Sequence, residues 1–410
     1  MIQYKPQAKS VKNTIANITL LLLIVLLSNP LHAGPREQAK RIHDRIAGVP
    51  PSDAVLTEME TLLGTGSPID AAYLALDNPS FYSVTLKNLV TPWTNEEQTV
   101  FASLNDYTAT VIGMVRDDVP FNELLSRDIL YIGDSGLGLP SYSNANNDHY
   151  VAMETQNVNL IDGLVATTQS AVTGLATEAT AGVITTRAAS KAFFIDGTNR
   201  AMFRFTLLNH LCTDLEQIKD VSRPTDRIRQ DVSRSPGGDS RIFLNACVGC
   251  HSGMDALTQA YAYYNYDYDV ETDPDAENGQ LSYNAAGMTD PDTGTRVKRK
   301  YLINANNFEY GYITRNDDWE NNWRFGPNSN LGWSQSLTGS GSGAKSMGQE
   351  LANSYAFAQC QVKKVFKTVC LRDPTTDADN TEVQRITEVF KSGFSMKGVF
   401  AETAMYCKGD

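Results

Sequence analysis

The chain has 410 residues, 41% of them hydrophobic and 20% charged, a balance that excludes a disordered polymer and permits one large core or two modest ones. Its formal net charge of −12 argues against nucleic acid or an anionic membrane surface as partner and leaves a basic protein or a cation as the easier fit.

Residues 1–33 stand apart from the rest. Lys5, Lys9 and Lys12 come before any acidic residue, residues 18–27 form an apolar run, and Leu31-His32-Ala33 offers a small residue before a cut at Gly34. This pattern predicts a cleaved secretory signal peptide and a periplasmic protein; the run is shorter than the ~20 residues of a membrane span, so membrane association would require an uncleaved signal. Losing the three lysines takes the formal charge from −12 to −15.

The remainder predicts a mainly α fold in three parts: a helical N-terminal region over 34–180, a module over 181–335 built around a cysteine-histidine turn, and a C-terminal helical module over 336–410. Apolar residues spaced by three and four predict helices over 36–47, 52–63, 68–76, 80–90 and 97–116, with Ser52 and Asp53 as a helix start after Pro50 and Pro51. Pro120 interrupts the pattern, and Asp134 to Tyr150, which carries His149, reads as a loop by composition. Two more helices are expected over 185–194 and 198–212. A linker from Ser222 to Arg241 then crowds five arginines together: Arg223, Arg227, Arg229, Arg234 and Arg241. Tyr261 to Trp333, rich in Tyr, Asn, Asp and Trp, predicts long loops and a short hairpin. The stretch 336–346 reads as a flexible joint, and helices resume over 344–369, 382–391 and 397–406.

The densest chemistry lies in "NACVGCHSGMDAL", residues 245–257, where Cys247, Cys250 and His251 fall on one turn. In an exported chain a bare CxxC would become a disulfide, and no thioredoxin-like context surrounds it. Histidine directly after the second cysteine is the spacing that lets two thioether bonds hold the edge of a haem while His251 reaches the iron. One covalent haem c is therefore expected, a plain disulfide with a bystander histidine being the alternative. A zinc site lacks a second ligand pair.

With these residues in view, a family resemblance can be stated. The segment from Arg241 to Leu257 resembles the C-terminal haem module of the planctomycete-type cytochrome family, which carries CxxCH followed by a Met-Asp pair, here Met254 and Asp255. Gly182 to Cys212 resembles a stretch and helix that come before that module in the family, and 357–374 and 393–407 resemble its closing helices, all in the family's order over a span of about 230 residues. The chain departs from the pattern in lacking the proline-rich run after Cys212 and the family's wording after the Met-Asp pair. What the resemblance implies is a haem protein, with no particular reaction attached.

The sixth iron position separates a carrier from an enzyme, because a full coordination sphere suits electron transfer and an open one binds peroxide or oxygen. The candidates are His149, Met288, Met347 and His210, or an open site; Met254, three residues after His251, stays on the proximal side. Arg241 is the first choice to pair a haem propionate. The other four cysteines predict two disulfides. Cys360 and Cys370 on one helix stand ~15 Å apart, too far to bridge. Cys212 then pairs with one of them and Cys407 with the other; Cys370 with Cys407 is favoured, and four buried thiols are the other reading.

The acidic stretch Asp267 to Asn278 lacks the glycine and the closing glutamate of a calcium loop, which argues against calcium. There is no GxSxG, HExxH or phosphate loop. The sequence therefore reads as a periplasmic monohaem c-type cytochrome passing one electron at a time to a redox partner protein in the envelope. The alternatives are a haem enzyme of peroxidase or oxygenase type with an open distal site, and a haem-bearing docking subunit of an envelope redox complex.

Overall fold

The computed structural model describes residues 33–195 and 197–409, so the stretch read as an export signal, up to residue 32, lies outside the described residues. The fold is mainly α, with three two-stranded antiparallel ribbons set between the helices.

Local signals explain the first helices. In α1 (Pro35–Ala47) proline occupies the first turn, where a missing N–H costs nothing, and Gly48 ends the helix in the left-handed region at φ 73°. Ala39, Ile42 and Ile46 form its buried stripe. In α2 (Asp53–Thr65) the Ser52 hydroxyl accepts the Val55 N–H, the start that the sequence predicts. With α3 (Pro68–Leu76) these helices pack on one another and against the C-terminal helix α12 (Met396–Cys407), so the two ends of the described chain share one bundle. The expected helix over 80–90 is a π turn, Phe81–Leu86, followed by a single α turn, Lys87–Val90.

Helix α4 (Asp106–Arg116) lies at the centre and is buried on every side from Asp106 to Val115, as a helix walled in by neighbours must be. It begins nine residues later than its pattern suggests because Asn105 caps it, accepting the Thr108 N–H. Downstream, β1 (Leu130–Gly133) pairs with β2 (Leu164–Thr167), strands that the sequence reading lacks. The expected loop after Asp134 ends early: His149 belongs to α5 (Asp148–Thr155). The helices α6 (Arg187–Phe193) and α7 (Arg200–Leu211) stand where expected.

Beyond α8 (Val248–Thr258), the hairpin expected between Tyr261 and Trp333 is β3 (Tyr264–Asp267) against β4 (Gln280–Tyr283). In the turn between them, the Asp273 carboxylate accepts the Glu277 and Asn278 N–H groups, so the acidic stretch is spent on its own backbone. The stretch read as a joint instead contains β6 (Ser340–Ser342), paired with β5 (Asp318–Glu320), and leads straight into α9 (Gly343–Ala352). The Ser354 side chain, accepting the Phe357 N–H, starts a new helix α10 (Tyr355–Cys370), dividing what periodicity alone reads as one. The order closes with α11 (Asp377–Lys391) and α12.

Two disulfides tie this frame. Cys212 at the end of α7 bonds to Cys360 on α10, and Cys370 at the end of α10 bonds to Cys407 at the end of α12, with Cα–Cα distances of 5.3 and 5.5 Å. Both cysteines of α10 lie on one helix, which keeps them from bonding to each other, and the favoured pairing of Cys370 with Cys407 is the one present. One apolar cluster runs from Ala39 to Ala404 and includes Met254 and Leu257 of α8. No described helix is long and apolar enough to cross a membrane.

Candidate haem-attachment site

The cysteine-histidine turn lies in an almost continuous helical run: a short turn at Ser240–Ile242, a π turn at Phe243–Cys247, then α8. Asp239 caps the run by accepting the Arg241 N–H. The π turn widens the helix by one residue just before Cys247, a feature that recurs where a helix must re-aim side chains.

Cys247 and Cys250 are half-buried free thiols, while the other four cysteines are in disulfides. The Cys250 thiol donates to the Leu215 carbonyl at 3.5 Å, and its burial raises its pKa. The His251 side chain is 20% exposed, and its Nδ1 stands 3.0 Å from Oδ1 of Asp255, one turn further along α8. No hydrogen bond among the described residues engages Nε2.

Asp255 is fully buried and takes four donors on its two oxygens. Arg200 donates from Nε to Oδ1 at 2.8 Å and from Nη2 to Oδ2 at 3.0 Å, the Arg229 N–H reaches Oδ2 at 3.2 Å, and His251 completes Oδ1. Burial by itself would raise the carboxyl pKa; the Arg200 charge and these hydrogen bonds prevail and hold it well below the usual carboxylate range. Arg200 also bridges to Asp231, at 2.8 and 3.1 Å. An ionised carboxylate only accepts, so the proton on the His251 ring sits at Nδ1 and Nε2 is left bare.

The floor beneath this turn is tightly fitted. Asn322 donates to the Ser252 carbonyl, the Ser252 hydroxyl donates to the Asp220 carbonyl, and the Asp220 N–H donates to the Gly249 carbonyl. Trp323 lies against Gly253 so closely that a Cβ there would meet its Nε1 at 2.1 Å. Gly253→Ala is therefore expected to cost about 1–3 kcal/mol by overpacking and to lower the thermal midpoint. A calorimetric scan checks this, and an unchanged midpoint would mean that the indole shifts freely.

Four large apolar side chains near the turn face solvent: Ile242, Leu244, Val221 and Phe325, the last three 57%, 69% and 67% exposed. Leu244 lies one turn before Cys247, Val221 follows the Asp220 that bonds to Gly249, and Phe325 precedes Gly326, which abuts Asp220 and Arg223. Two sulfurs, an imidazole nitrogen and an apolar rim together suit a flat, covalently bound macrocycle with one axial nitrogen ligand.

The other expected site residues stand elsewhere or are engaged. Arg241 is exposed and forked onto Asp239, a surface pair that can open to a new partner. Arg227 bonds to the Tyr312 hydroxyl, and Arg234 lies between the Phe243 and Phe308 rings while donating to the carbonyls of Ile228, Arg229 and Val232. Buried Arg229 lies over the Tyr301 ring and donates to the Tyr301 carbonyl.

His149, expected in a free loop, is buried in α5. Its Nε2 accepts the Gly133 N–H at 2.8 Å and its Nδ1 donates to the Pro140 carbonyl at 2.7 Å, so both nitrogens hold the β1 region together. His210 is buried, with Nε2 2.7 Å from the Tyr107 hydroxyl, and burial pushes its pKa well down. Met347 is buried in α9, and Met288 is exposed on a turn. Sequence reasoning missed Arg200 and Asp231 and gave Asp255 no role, although the Met-Asp pair and the four-residue step from His251 both point to it.

Among the described residues no three His, Cys, Asp or Glu side chains gather as they would around a bound ion, and the question of a metal rests on His251 alone. No protein-family model matches the chain, and no curated protein or solved structure proves similar to it.

Proposed function

We propose that the chain is an exported, periplasmic monohaem c-type cytochrome, akin to the planctomycete-type family, that passes single electrons between envelope proteins. One observation carries the reading: the two free thiols come just before a histidine whose Nδ1 is anchored on a buried carboxylate and whose Nε2 is open. Bound there, haem iron would accept and release one electron. Cys247 and Cys250 would hold the haem through thioether bonds and His251 would offer Nε2 to the iron, with Asp255 fixing the imidazole ring. Leu244, Val221 and Phe325 would supply apolar surface beside it, and Arg241, paired with Asp239 at the surface, would be the candidate to meet a propionate. The excess of acidic residues, a formal charge of −12 that becomes −15 once Lys5, Lys9 and Lys12 leave with the signal, suits a basic redox partner.

The test is the absorption spectrum of the purified full-length protein, oxidised and reduced, after acid–organic extraction. The reading requires that the haem spectrum stay with the polypeptide; a colourless polypeptide would refute it.

A second reading has its own observation. His149, His210 and Met347 are all engaged inside the fold, which favours an exchangeable sixth position and reaction with a small oxidant such as peroxide. Rapid uptake of cyanide or carbon monoxide supports this reading, whereas a spectrum unmoved by either supports the carrier.

A further inference from the structure

We propose that Asp255 is a positioning residue that sets the electronic character of His251: by accepting the Nδ1 proton as a buried, immobile carboxylate, it makes Nε2 a stronger donor and holds the haem at a low reduction potential. This rests on the haem reading above and goes beyond it, since covalent attachment requires only Cys247, Cys250 and His251.

Three features carry the argument. First, the contact is built by the helix. His251 and Asp255 are four residues apart on α8, and neither backbone can move without disturbing the Trp323 packing at Gly253 or the Asn322 bond at Ser252. Second, the carboxylate cannot turn away. Its two oxygens each take two donors, from Arg200, Arg229 and His251, so rotation would break bonds that no other buried group replaces. Third, the surroundings hold the charge in place. Two buried guanidinium groups face the carboxylates, Arg200 forked between Asp255 and Asp231 and Arg229 3.6 Å from Asp231, so Asp255 keeps its charge although it is closed off from water.

A hydrogen bond from a ligating imidazole to a carboxylate fixes the tautomer and raises the basicity of the metal-bound nitrogen. A more basic nitrogen stabilises the oxidised iron over the reduced one, which lowers the potential. A carbonyl partner would fix the tautomer equally well but would push far less charge onto the ring. The choice of a carboxylate therefore points to a site tuned to give up its electron readily.

The experiment is an optical redox titration of full-length holoprotein with mediator dyes. Asp255→Asn keeps the shape and can still accept from Nδ1, but without the charge. It should favour the reduced iron at least tenfold, ~59 mV upward for a one-electron couple. Asp231→Asn removes an equal charge from the same Arg200 without touching His251, and should change the equilibrium by less than threefold.

An Asp255→Asn potential within threefold of wild type overturns the proposal, as does an Asp231→Asn shift equal to that of Asp255→Asn. Should Asp255→Asn fail to fold, the wild-type protein still decides. Proton NMR should then resolve the His251 ring N–H and show it exchanging slowly with solvent, and a signal lost to fast exchange overturns the assignment. Protein without covalent haem would refute the cytochrome reading itself, and this role with it; haem-bearing protein with an unmoved potential refutes only the role of Asp255.

Discussion

The double variant Cys247→Ala, Cys250→Ala is expected to lose its haem stain completely on a denaturing gel while keeping both disulfides and a cooperative melting transition. The thiols are half-buried, and neither belongs to the large apolar cluster that runs through the helices, so truncating them should cost about 1 kcal/mol or less each. Loss of stain without loss of fold is thus the signature of attachment rather than of general damage. Single variants should keep a weakened stain through one remaining thioether. Stain that survives the double change would show that the turn does not hold the porphyrin, and a protein that no longer melts cooperatively would show that the thiols serve the fold.

The second large effect concerns the staples. Removing the Cys212–Cys360 bond frees a loop spanning 148 residues, and removing Cys370–Cys407 frees one spanning 37. On the loop-closure argument the first pair contributes about 5 kcal/mol and the second about 4, both exerted on the unfolded chain. Paired cysteine-to-alanine variants, each with the other bond intact, should therefore unfold at lower denaturant in that order. Denaturant titration reads it directly. A larger loss from the Cys370–Cys407 pair would mean that packing of α12 on α10, rather than chain entropy, sets the effect.

Periodicity, caps and prolines are enough to predict α1, α2, α3, α6 and α7: four of them bury several residues at helical spacing, and α2, which buries only Met59, has the Ser52 cap and the Gly66 stop. They were less informative where two signals compete. The run from 344 to 369 has one apolar pattern, and the Ser354 hydroxyl, accepting the Phe357 N–H as a helix cap, marks it as two helices. The pattern over 97–116 extends past a cap that the structure uses at Asn105. Short strands such as Leu130–Gly133 and Ser340–Ser342 carry too few residues for alternation to register; their pairing is decided by a partner far along the chain.

For the candidate site, the sequence by itself determined the cysteine-histidine turn, since Cys247, Cys250 and His251 lie within five positions and the helix brings them together without help. It also excluded a Cys360–Cys370 bond, because two cysteines ten residues apart on one helix cannot reach each other, while the choice between the two remaining pairings came from the packing of α7 and α12 on α10. Only the tertiary structure decided what stands behind the histidine. Arg200 lies 55 positions before Asp255 and Asp231 lies 24 before it, and no local rule connects residues so far apart. The same holds for His149, whose polar neighbours in sequence suggest a free loop residue, whereas its engagement depends on Gly133 and Pro140 folding back over it. Local geometry places side chains that share a turn. The charge and burial around them come from chain segments that meet only when the core closes.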